Sequence, residues 1–144
     1  SSQIITSKKN MIFLEGWCCG CPPLSNSFLQ KNLNNIEKTD SEYIWRKYYN
    51  KKLKKEYRLI FKHFEYLIYF KIPSFDCVLK WRIKQEKRLK LNKKKNINYM
   101  NKIEIKDFIS YYEKITKWMM KNTLNKSDLT IKINKNQKIQ SIST

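Results

Sequence analysis

One candidate for phosphate chemistry is a carboxylate that follows an apolar run near the start of the chain. The residues Met-Ile-Phe-Leu at positions 11–14 are followed by Glu15 and Gly16. Such a run is typical of a strand buried in a parallel sheet, and ligands of open α/β sheets bind beyond the carboxyl ends of the strands. Glu15 is therefore predicted to hold Mg²⁺ beside a phosphate group. An ordinary acid at a strand end is the alternative.

A second candidate is a group of polar side chains on one predicted helix. Arg82 and Gln85 are three residues apart and share a helical face, and Glu86 lies one turn from Arg82. In phosphoryl transfer, an arginine presented from a closing segment neutralises the charge that develops on the transferred group. The alternative is a solvated ion pair between Arg82 and Glu86 on a surface helix.

The four cysteines raise the possibility of a metal site. Cys18, Cys19 and Cys21 are clustered, while Cys77 lies far away in the sequence. Structural zinc needs four ligands, which here would require Cys77 and the single histidine, His63, to converge on one tight loop. Adjacent cysteines also pair poorly in disulfides. We therefore expect free thiols that are buried or half-buried.

The elements that position these residues alternate between strand and helix. Apolar runs predict strands at residues 11–14 and 66–70, and alternation predicts one at 128–133 with 138–143 returning beside it. Helical spacing predicts helices at 41–64, capped by Ser41, at about 75–89, preceded by Ser74, and at 102–122. The second of these helices is followed by a polar insert at 93–96. This order predicts an α/β fold with a mostly parallel sheet flanked by helices.

The net charge of +19 has two possible explanations. One is a small basic nucleic-acid-binding protein, because clustered cations gain affinity by releasing counterions from phosphates. The other is the codon bias of an AT-rich genome, since the chain has no alanine and is crowded with Lys, Asn, Ile, Tyr and Phe. The cations are spread along the chain rather than gathered in one stripe, which favours bias. Nucleic-acid binding stays the alternative.

Length and hydropathy predict a single domain in a cytoplasmic protein. A chain of 144 residues can bury a core, and 41% of its residues are hydrophobic. No apolar run approaches the roughly 20 residues that a membrane helix needs. Residues 1–10 are polar and do not resemble a secretory signal. No membrane partner is expected.

Four segments of the chain occur in the order and with the spacing of one enzyme family. They read MIFLEGWCCGCPPL, YIWRKYYNKKLKKEYRLIF, IPSFDCVLKWRIKQEKRL and, in the helix at 102–122, a series of Phe, Tyr, Glu and Thr. Together they resemble the D-glycerate 3-kinase family of P-loop kinases. The likeness covers about residues 9–133, and four ordered segments are more specific than one motif.

The resemblance implies a phosphotransferase that moves the γ-phosphoryl group of ATP, with Mg²⁺, to a hydroxyl of D-glycerate or a similar small molecule. It also implies a P-loop kinase fold. The implied site residues are Glu15 as the acid on the metal side, Arg82 as the catalytic lid cation that faces the ATP phosphates, Arg88 as a weaker ATP contact, Trp17 and Cys18 beside the acceptor, and Arg46 and Asn50 as acceptor contacts. For Arg46 and Asn50, packing of their own helix is the alternative.

The chain departs from the family at the phosphate cradle. A P-loop reads G-x-x-x-x-G-K-[ST], because backbone N–H groups approach the phosphates and the lysine reaches the β and γ oxygens. This sequence has two glycines, Gly16 and Gly20, with no Lys-Ser or Lys-Thr after them. We therefore expect residues 1–144 to form one incomplete kinase domain, the C-terminal portion, with a lid-like region at about 82–102. We expect it to be inactive alone. It is either the partner of a separately encoded N-terminal half or a pseudo-enzyme.

Overall fold

The computed structural model describes residues 11–91 and 99–144, and combines helices with a small sheet. Five short helical segments come first, followed by one strand, two long helices and the other two strands. The elements are α1 (Asn26–Gln30), α2 (Asn35–Thr39), α3 (Ile44–Lys52), a π-helical turn (Leu53–Tyr57), α4 (Arg58–Phe61), β1 (Ile68–Lys71), α5 (Phe75–Leu91), α6 (Lys102–Asn122), a 3₁₀ turn (Leu124–Lys126), β2 (Leu129–Ile133) and β3 (Ile139–Ser143).

The sheet has three strands in the order β1-β2-β3. Strand β1 pairs with β2 in parallel, from Ile68 opposite Leu129 to Lys71 opposite Lys132. Strand β3 returns antiparallel to β2, with an irregularity between Lys132 and Ile133. The predicted α/β class, a sheet flanked by helices, is confirmed. One of the two pairings is parallel, so the described sheet is mixed.

The predicted strand at residues 11–14 is wrong. These residues have no regular secondary structure, and the sheet does not extend to Leu14. Their side chains are exposed: Ile12 is 87% exposed and Phe13 is 81% exposed. A strand exists through its hydrogen bonds to a neighbouring strand, and no strand of the described residues pairs with this segment. An apolar run alone therefore does not make a strand here.

The predicted helix at 41–64 forms, but its start and its regularity differ from the prediction. Ser41 is not the cap: Tyr43 occupies that position with φ of 58°, and the Asp40 carboxylate accepts hydrogen bonds from the backbone N–H groups of Trp45 and Arg46. The π-helical turn then widens the helix at Leu53–Tyr57. This turn shifts the helical stripe, so the side chains predicted to face inward do not all reach the core.

The later elements follow the sequence closely. Helix α5 ends at Leu91 and α6 begins at Lys102, where Asn101 and Glu104 form a reciprocal capping box. Strand β1 and the pair of strands at the end of the chain also form as predicted. The predicted insert at 93–96 lies outside the described residues, as does part of the lid-like region. Among the residues that the structure describes, no helix is both long and apolar enough to cross a bilayer.

The hydrophobic core lies between one face of the sheet and the helices. Its buried members come from residues 21–29, the π-helical turn, β1 and α6: Cys21, Leu24, Leu29, Leu53, Tyr69 and Met119. Tyr69 and its cross-strand neighbour Thr130 are both buried, so this face of the sheet meets the core. The packing fixes β1 and α6 beside the loop that follows Glu15.

The opposite face of the sheet is apolar and largely uncovered. Side chains alternate along strands, so residues paired with Phe70 and Ile68 share this second face. Phe70 is 54% exposed and Ile142 is 60% exposed. The full set is Ile68, Phe70, Leu129, Ile131, Ile133, Ile139 and Ile142, and we call it the open sheet face. None of its members is charged.

Candidate functional site

The loop after Glu15 is a tight turn held against α6. Cys19 N–H donates to the Gly16 carbonyl at 3.4 Å, and Cys21 N–H donates to the Cys18 carbonyl at 3.0 Å. The Trp17 indole N–H donates to Thr116 Oγ1 at 3.0 Å. Its ring also packs edge-on against a tyrosine of α6, with centroids 4.7 Å apart. The turn's own hydrogen bonds thus position Cys18, and α6 positions Trp17; these are the two predicted acceptor contacts in this loop.

The two glycines are explained by the turn itself. Gly20 has φ of +74°, a conformation that L side chains rarely adopt, and an added Cβ would lie 2.9 Å from Leu67 Cδ2. A Cβ on Gly16 would lie 2.7 Å from Cys19 Sγ. Two of the amides in this turn already donate to carbonyls within it, so they do not form a nest for phosphate oxygens. The loop does not fit an ATP phosphate cradle.

The cysteines form no metal site within the described residues. Burial raises the pKa of Cys18 and of Cys19, and raises the pKa of Cys21 to about 12. At neutral pH these groups are therefore thiols. Across 11–91 and 99–144, no three His, Cys, Asp or Glu side chains come together as a possible metal site. All four cysteines are free, two buried and two half-buried.

Glu15 lies in an exposed position after the irregular segment. It belongs to no group of three metal-ligating side chains in the described chain. One carboxylate fits Mg²⁺ only where substrate phosphates and waters supply the other oxygens. The residues at 11–91 and 99–144 thus supply no metal-binding group of three around Glu15, and its role as a Mg²⁺ ligand stays a prediction.

Arg82 lies within a polar cluster on α5. Its Nη1 donates to Gln85 Oε1 at 2.7 Å, and its Nη2 lies 3.2 Å from Glu86 Oε2. Glu86 is buried, and its Oε1 accepts from the Met100 backbone N–H at 2.9 Å. The Arg82 Nε–H is buried without a hydrogen-bond partner among the described atoms. The helical spacing therefore correctly predicted that these side chains meet.

Arg82 and Arg88 line the same open groove. The groove has a volume of about 430 Å³ and lies along α5, with Trp81 and Gln137 among its other lining residues. The Trp81 indole N–H donates to the Lys135 carbonyl, which ties the helix to the turn between β2 and β3. No acidic side chain lines this groove in the described part of the chain. It is a cationic surface with room for phosphate groups.

Arg46 is part of the interior rather than of an open site. It is 2% exposed, and all five of its N–H donors are used. Its acceptors are the Asp40 carboxylate and the backbone carbonyls of Leu29, Glu37 and Asp40, together with the Asn32 side chain. The structure favours packing over contact with an acceptor for this residue.

Asn50 has the same character. It is 3% exposed; its Oδ1 accepts from the Leu24 N–H at 2.7 Å, and its amide donates to the Leu24 carbonyl at 3.1 Å. This pair of bonds fixes the backbone just before α1 against α3. Packing is again the favoured alternative, and acceptor binding by Asn50 stays an untested prediction.

One buried ion pair has no signal in the sequence. Lys114 Nζ lies 3.1 Å from Glu37 Oε2 and donates to the carbonyls of Phe28 and Lys31. Burial lowers the pKa of Lys114, although the hydrogen bond and the charge of Glu37 oppose that shift. The partners are 77 positions apart, so only the tertiary structure brings them together. The pair joins α6 to the short helices.

Comparison with solved structures shows that this chain shares its α/β fold with proteins of known structure. One similar structure is D-glycerate 3-kinase from Cryptococcus neoformans var. grubii serotype A, with a TM-score of 0.65 and 20% sequence identity. The match covers 90% of this chain and 48% of that protein. A second is the YGR205w protein, with a TM-score of 0.56 and 20% identity over 89% of this chain and 45% of that one.

The chain therefore spans about half the length of the structures that it matches. The resemblance predicted from the sequence is confirmed at the level of the fold. The sequence matches no protein-family profile and no curated protein sequence. At 20% identity the structural likeness defines the fold and leaves substrate and activity to be argued from the residues.

Proposed function

We propose that this chain is part of an ATP-dependent phosphotransferase of the D-glycerate 3-kinase type. The observation that carries the proposal is the fold shared over about 90% of the chain with a structure of that name. The order of the four sequence segments supports the same assignment. The acceptor is a hydroxyl of glycerate or of a similar small acid, and the cofactors are ATP and Mg²⁺.

The chain's own contribution is a cationic surface beside the transferred phosphoryl group. The groove on α5 presents Arg82 and Arg88 without a lining carboxylate. Arg82 lines this groove, and its guanidinium is the group on this chain that would pair with a phosphate oxygen. Bound Mg²⁺ supplies charge neutralisation on the nucleotide, and Glu15 is the carboxylate on this chain that would face it.

The chain needs a second polypeptide segment to bind ATP tightly. Its one turn with two glycines uses its amides internally and does not fit a phosphate cradle. The open sheet face also leaves a group of large apolar side chains in water, which is typical of a surface that another element covers. We infer that the segment that carries the P-loop packs on this face.

Complementation tests the proposal. The chain is mixed with the part of the Cryptococcus neoformans D-glycerate 3-kinase that it does not match, and ADP release is followed with Mg²⁺ and D-glycerate. We expect no turnover from either part alone and acceptor-dependent turnover from the mixture. Arg82→Met should lower the rate roughly 100- to 1000-fold, while Arg58→Met, at an exposed position of α4, should not.

Two results would contradict the proposal. One is tight Mg²⁺-dependent ATP binding by the chain alone, which would require a site other than the predicted one. The other is a mixture that forms a stable complex but transfers no phosphoryl group to any small hydroxy acid.

A further inference from the structure

The solvent side of α3 carries an aromatic pair that the core does not use. Trp45 is 60% exposed and Tyr48 is 52% exposed. Their rings are stacked, with centroids 5.7 Å apart and planes 17° from parallel. Ile44, the preceding residue, is 71% exposed. Large apolar groups gathered on a surface mark binding sites, because leaving them in water forgoes the free energy of burial.

A lysine groove runs beside this pair. Four exposed lysines of α3 and the π-helical turn line an open groove of about 240 Å³ together with Asn26, Leu29 and Asn50. They are Lys47, Lys51, Lys54 and Lys55, and we call them the groove lysines. No carboxylate is among the lining residues in the described chain. The groove is therefore an uncompensated positive surface.

The helix geometry sets the two features side by side. Trp45, Tyr48 and Lys52 recur at spacings of three and four residues on one stripe, and the groove lysines follow a neighbouring stripe. Lys52 Nζ lies 5.3 Å from the Tyr48 ring centroid and 2.6 Å from Glu56 Oε1, so this cation is already paired. The π-helical turn brings two consecutive lysines to the groove, and such turns frequently occur at functional sites.

We propose that α3 and the π-helical turn bind single-stranded nucleic acid, with the groove lysines on the phosphates and the bases stacked on Trp45 and Tyr48. Single strands are recognised by this combination of a cationic groove and aromatic platforms, because unpaired bases expose their faces to stacking. A duplex keeps its bases stacked on each other and would use only the lysines. This function is separate from the proposed phosphotransferase and does not depend on it.

An anionic membrane is the competing ligand for a surface of this kind. Interfacial helices bury a continuous apolar face between the headgroups. Helix α3 has nine residues, and its exposed apolar stripe ends at Tyr48 and passes into lysines within one turn. Both rings are exposed and nearly parallel, so a base can stack on an outer face of the pair. The observations therefore favour nucleic acid.

Fluorescence anisotropy of labelled dT20 and rU20 with the full chain, at salt concentrations from 50 to 200 mM, tests the proposal. Each neutralised phosphate contact contributes about 0.7 to the salt slope for a single strand. Replacing the four groove lysines with glutamine should therefore lower the slope by roughly 2 to 3. The matched control replaces the same number of exposed lysines elsewhere, at Lys102, Lys106, Lys121 and Lys135, and should lower it by less than about 1.

The aromatic pair is tested separately from charge. Trp45→Ala and Tyr48→Ala should each weaken binding roughly 5- to 150-fold, the range for one stacked base, with the salt slope unchanged. Trp45→Phe and Tyr48→Phe should restore most of the affinity. Both positions are exposed, so circular dichroism should show an intact fold.

Three outcomes would overturn the proposal. Equal losses from the groove and control lysines would indicate attraction to the net charge alone. Aromatic variants that bind within twofold of the unmodified chain would show that no base stacks there. Binding to phosphatidylserine vesicles that depends on Trp45 and Tyr48, with no such dependence for the oligonucleotides, would assign the surface to membranes.

Discussion

Replacement of Arg46 by methionine should strongly destabilise the fold, because five hydrogen bonds converge on this side chain. The guanidinium lies 4.6 Å from the Tyr43 ring centroid and bonds to three backbone carbonyls, one amide oxygen and the Asp40 carboxylate. Methionine keeps the apolar stem and removes every donor. The buried carbonyls of Leu29 and Glu37 then lose a partner that water cannot readily replace.

The size of the effect follows from these contacts. An unsatisfied buried acceptor costs about 1–3 kcal/mol, and the carbonyls of Leu29 and Glu37 both lose a buried donor. The Asp40 carboxylate also loses its partner, but its side chain is 19% exposed, so it adds less than a fully buried unpaired charge. These costs overlap, so we expect the free energy of unfolding to fall by about 3–5 kcal/mol. The whole free energy of unfolding of a native protein is about 5–15 kcal/mol. At roughly 3 °C per kcal/mol for a chain of this length, Tm should fall by roughly 9–15 °C.

Urea unfolding followed by circular dichroism measures this loss. The midpoint should fall with little change in the m-value, since the surface exposed on unfolding is nearly the same. Arg46→Lys keeps the charge but loses the planar fork, and should recover at most about half of the loss. Lys117→Met is the control, because it removes the half-exposed cation of an i,i+4 pair, and should cost about 0.5 kcal/mol or less.

A small effect would refute this reasoning. If Arg46→Met unfolds within about 1 kcal/mol of the unmodified chain, the network contributes little to stability. The interpretation of Arg46 as an acceptor contact would then be favoured. Its test would be the affinity of the complemented enzyme for the hydroxy acid, with and without Arg46→Met.

Three further predictions concern the acid stability, the loop before α1 and the sheet. Burial by itself raises the pKa of Asp40, but hydrogen bonds from the Arg46 side chain and from two backbone N–H groups outweigh it and lower the pKa. The stability contributed by Asp40 is therefore present above about pH 4 and is lost as pH falls through the lower pKa of the folded state. The urea midpoint of Asp40→Asn should therefore vary less with pH, between about pH 2 and pH 5, than that of the unmodified chain. Asn50→Ala leaves a buried backbone N–H and carbonyl unpaired and should cost about 1–3 kcal/mol in urea unfolding, against less than about 0.5 kcal/mol for the exposed Asn125→Ala. Tyr69→Ala on the core face should lower the free energy of unfolding by about 3 kcal/mol. Ile142→Ser on the open sheet face should lower it by under about 1 kcal/mol and should reduce the fluorescence of a bound hydrophobic dye. Equal losses at the two positions would show that both faces are covered.

Local patterns predicted the second half of the fold well. Helices α5 and α6 have long stripes at helical spacing, and α6 starts at a capping box, so neighbouring residues alone specify them. The alternation in β2 and β3 and the turn between them are equally local. The same holds for the cluster of Arg82 with Gln85 and Glu86, whose members lie within one helical turn.

The first half depended on partners that the sequence pattern does not specify. The apolar run at 11–14 reads as a strand, but a strand forms only where another strand supplies its hydrogen bonds. The cap at Ser41 was displaced because Asp40 both accepts from the helix N–H groups and pairs with a buried arginine. The π-helical turn then shifted the helical stripe, and Tyr57 and Ile60, in and after this turn, are exposed.

The sequence by itself determined the fold class, the kinase resemblance and the absence of a P-loop motif from these 144 residues, because each depends on residue types at fixed spacing. Only the tertiary structure decided which predicted site residues are available to a ligand. Arg46 and Asn50 became interior groups because their partners come from segments 6 to 26 positions away. Arg82 and Arg88 stayed on an open groove, and the open sheet face was left uncovered, because burial depends on how elements pack and not on the pattern within any one of them.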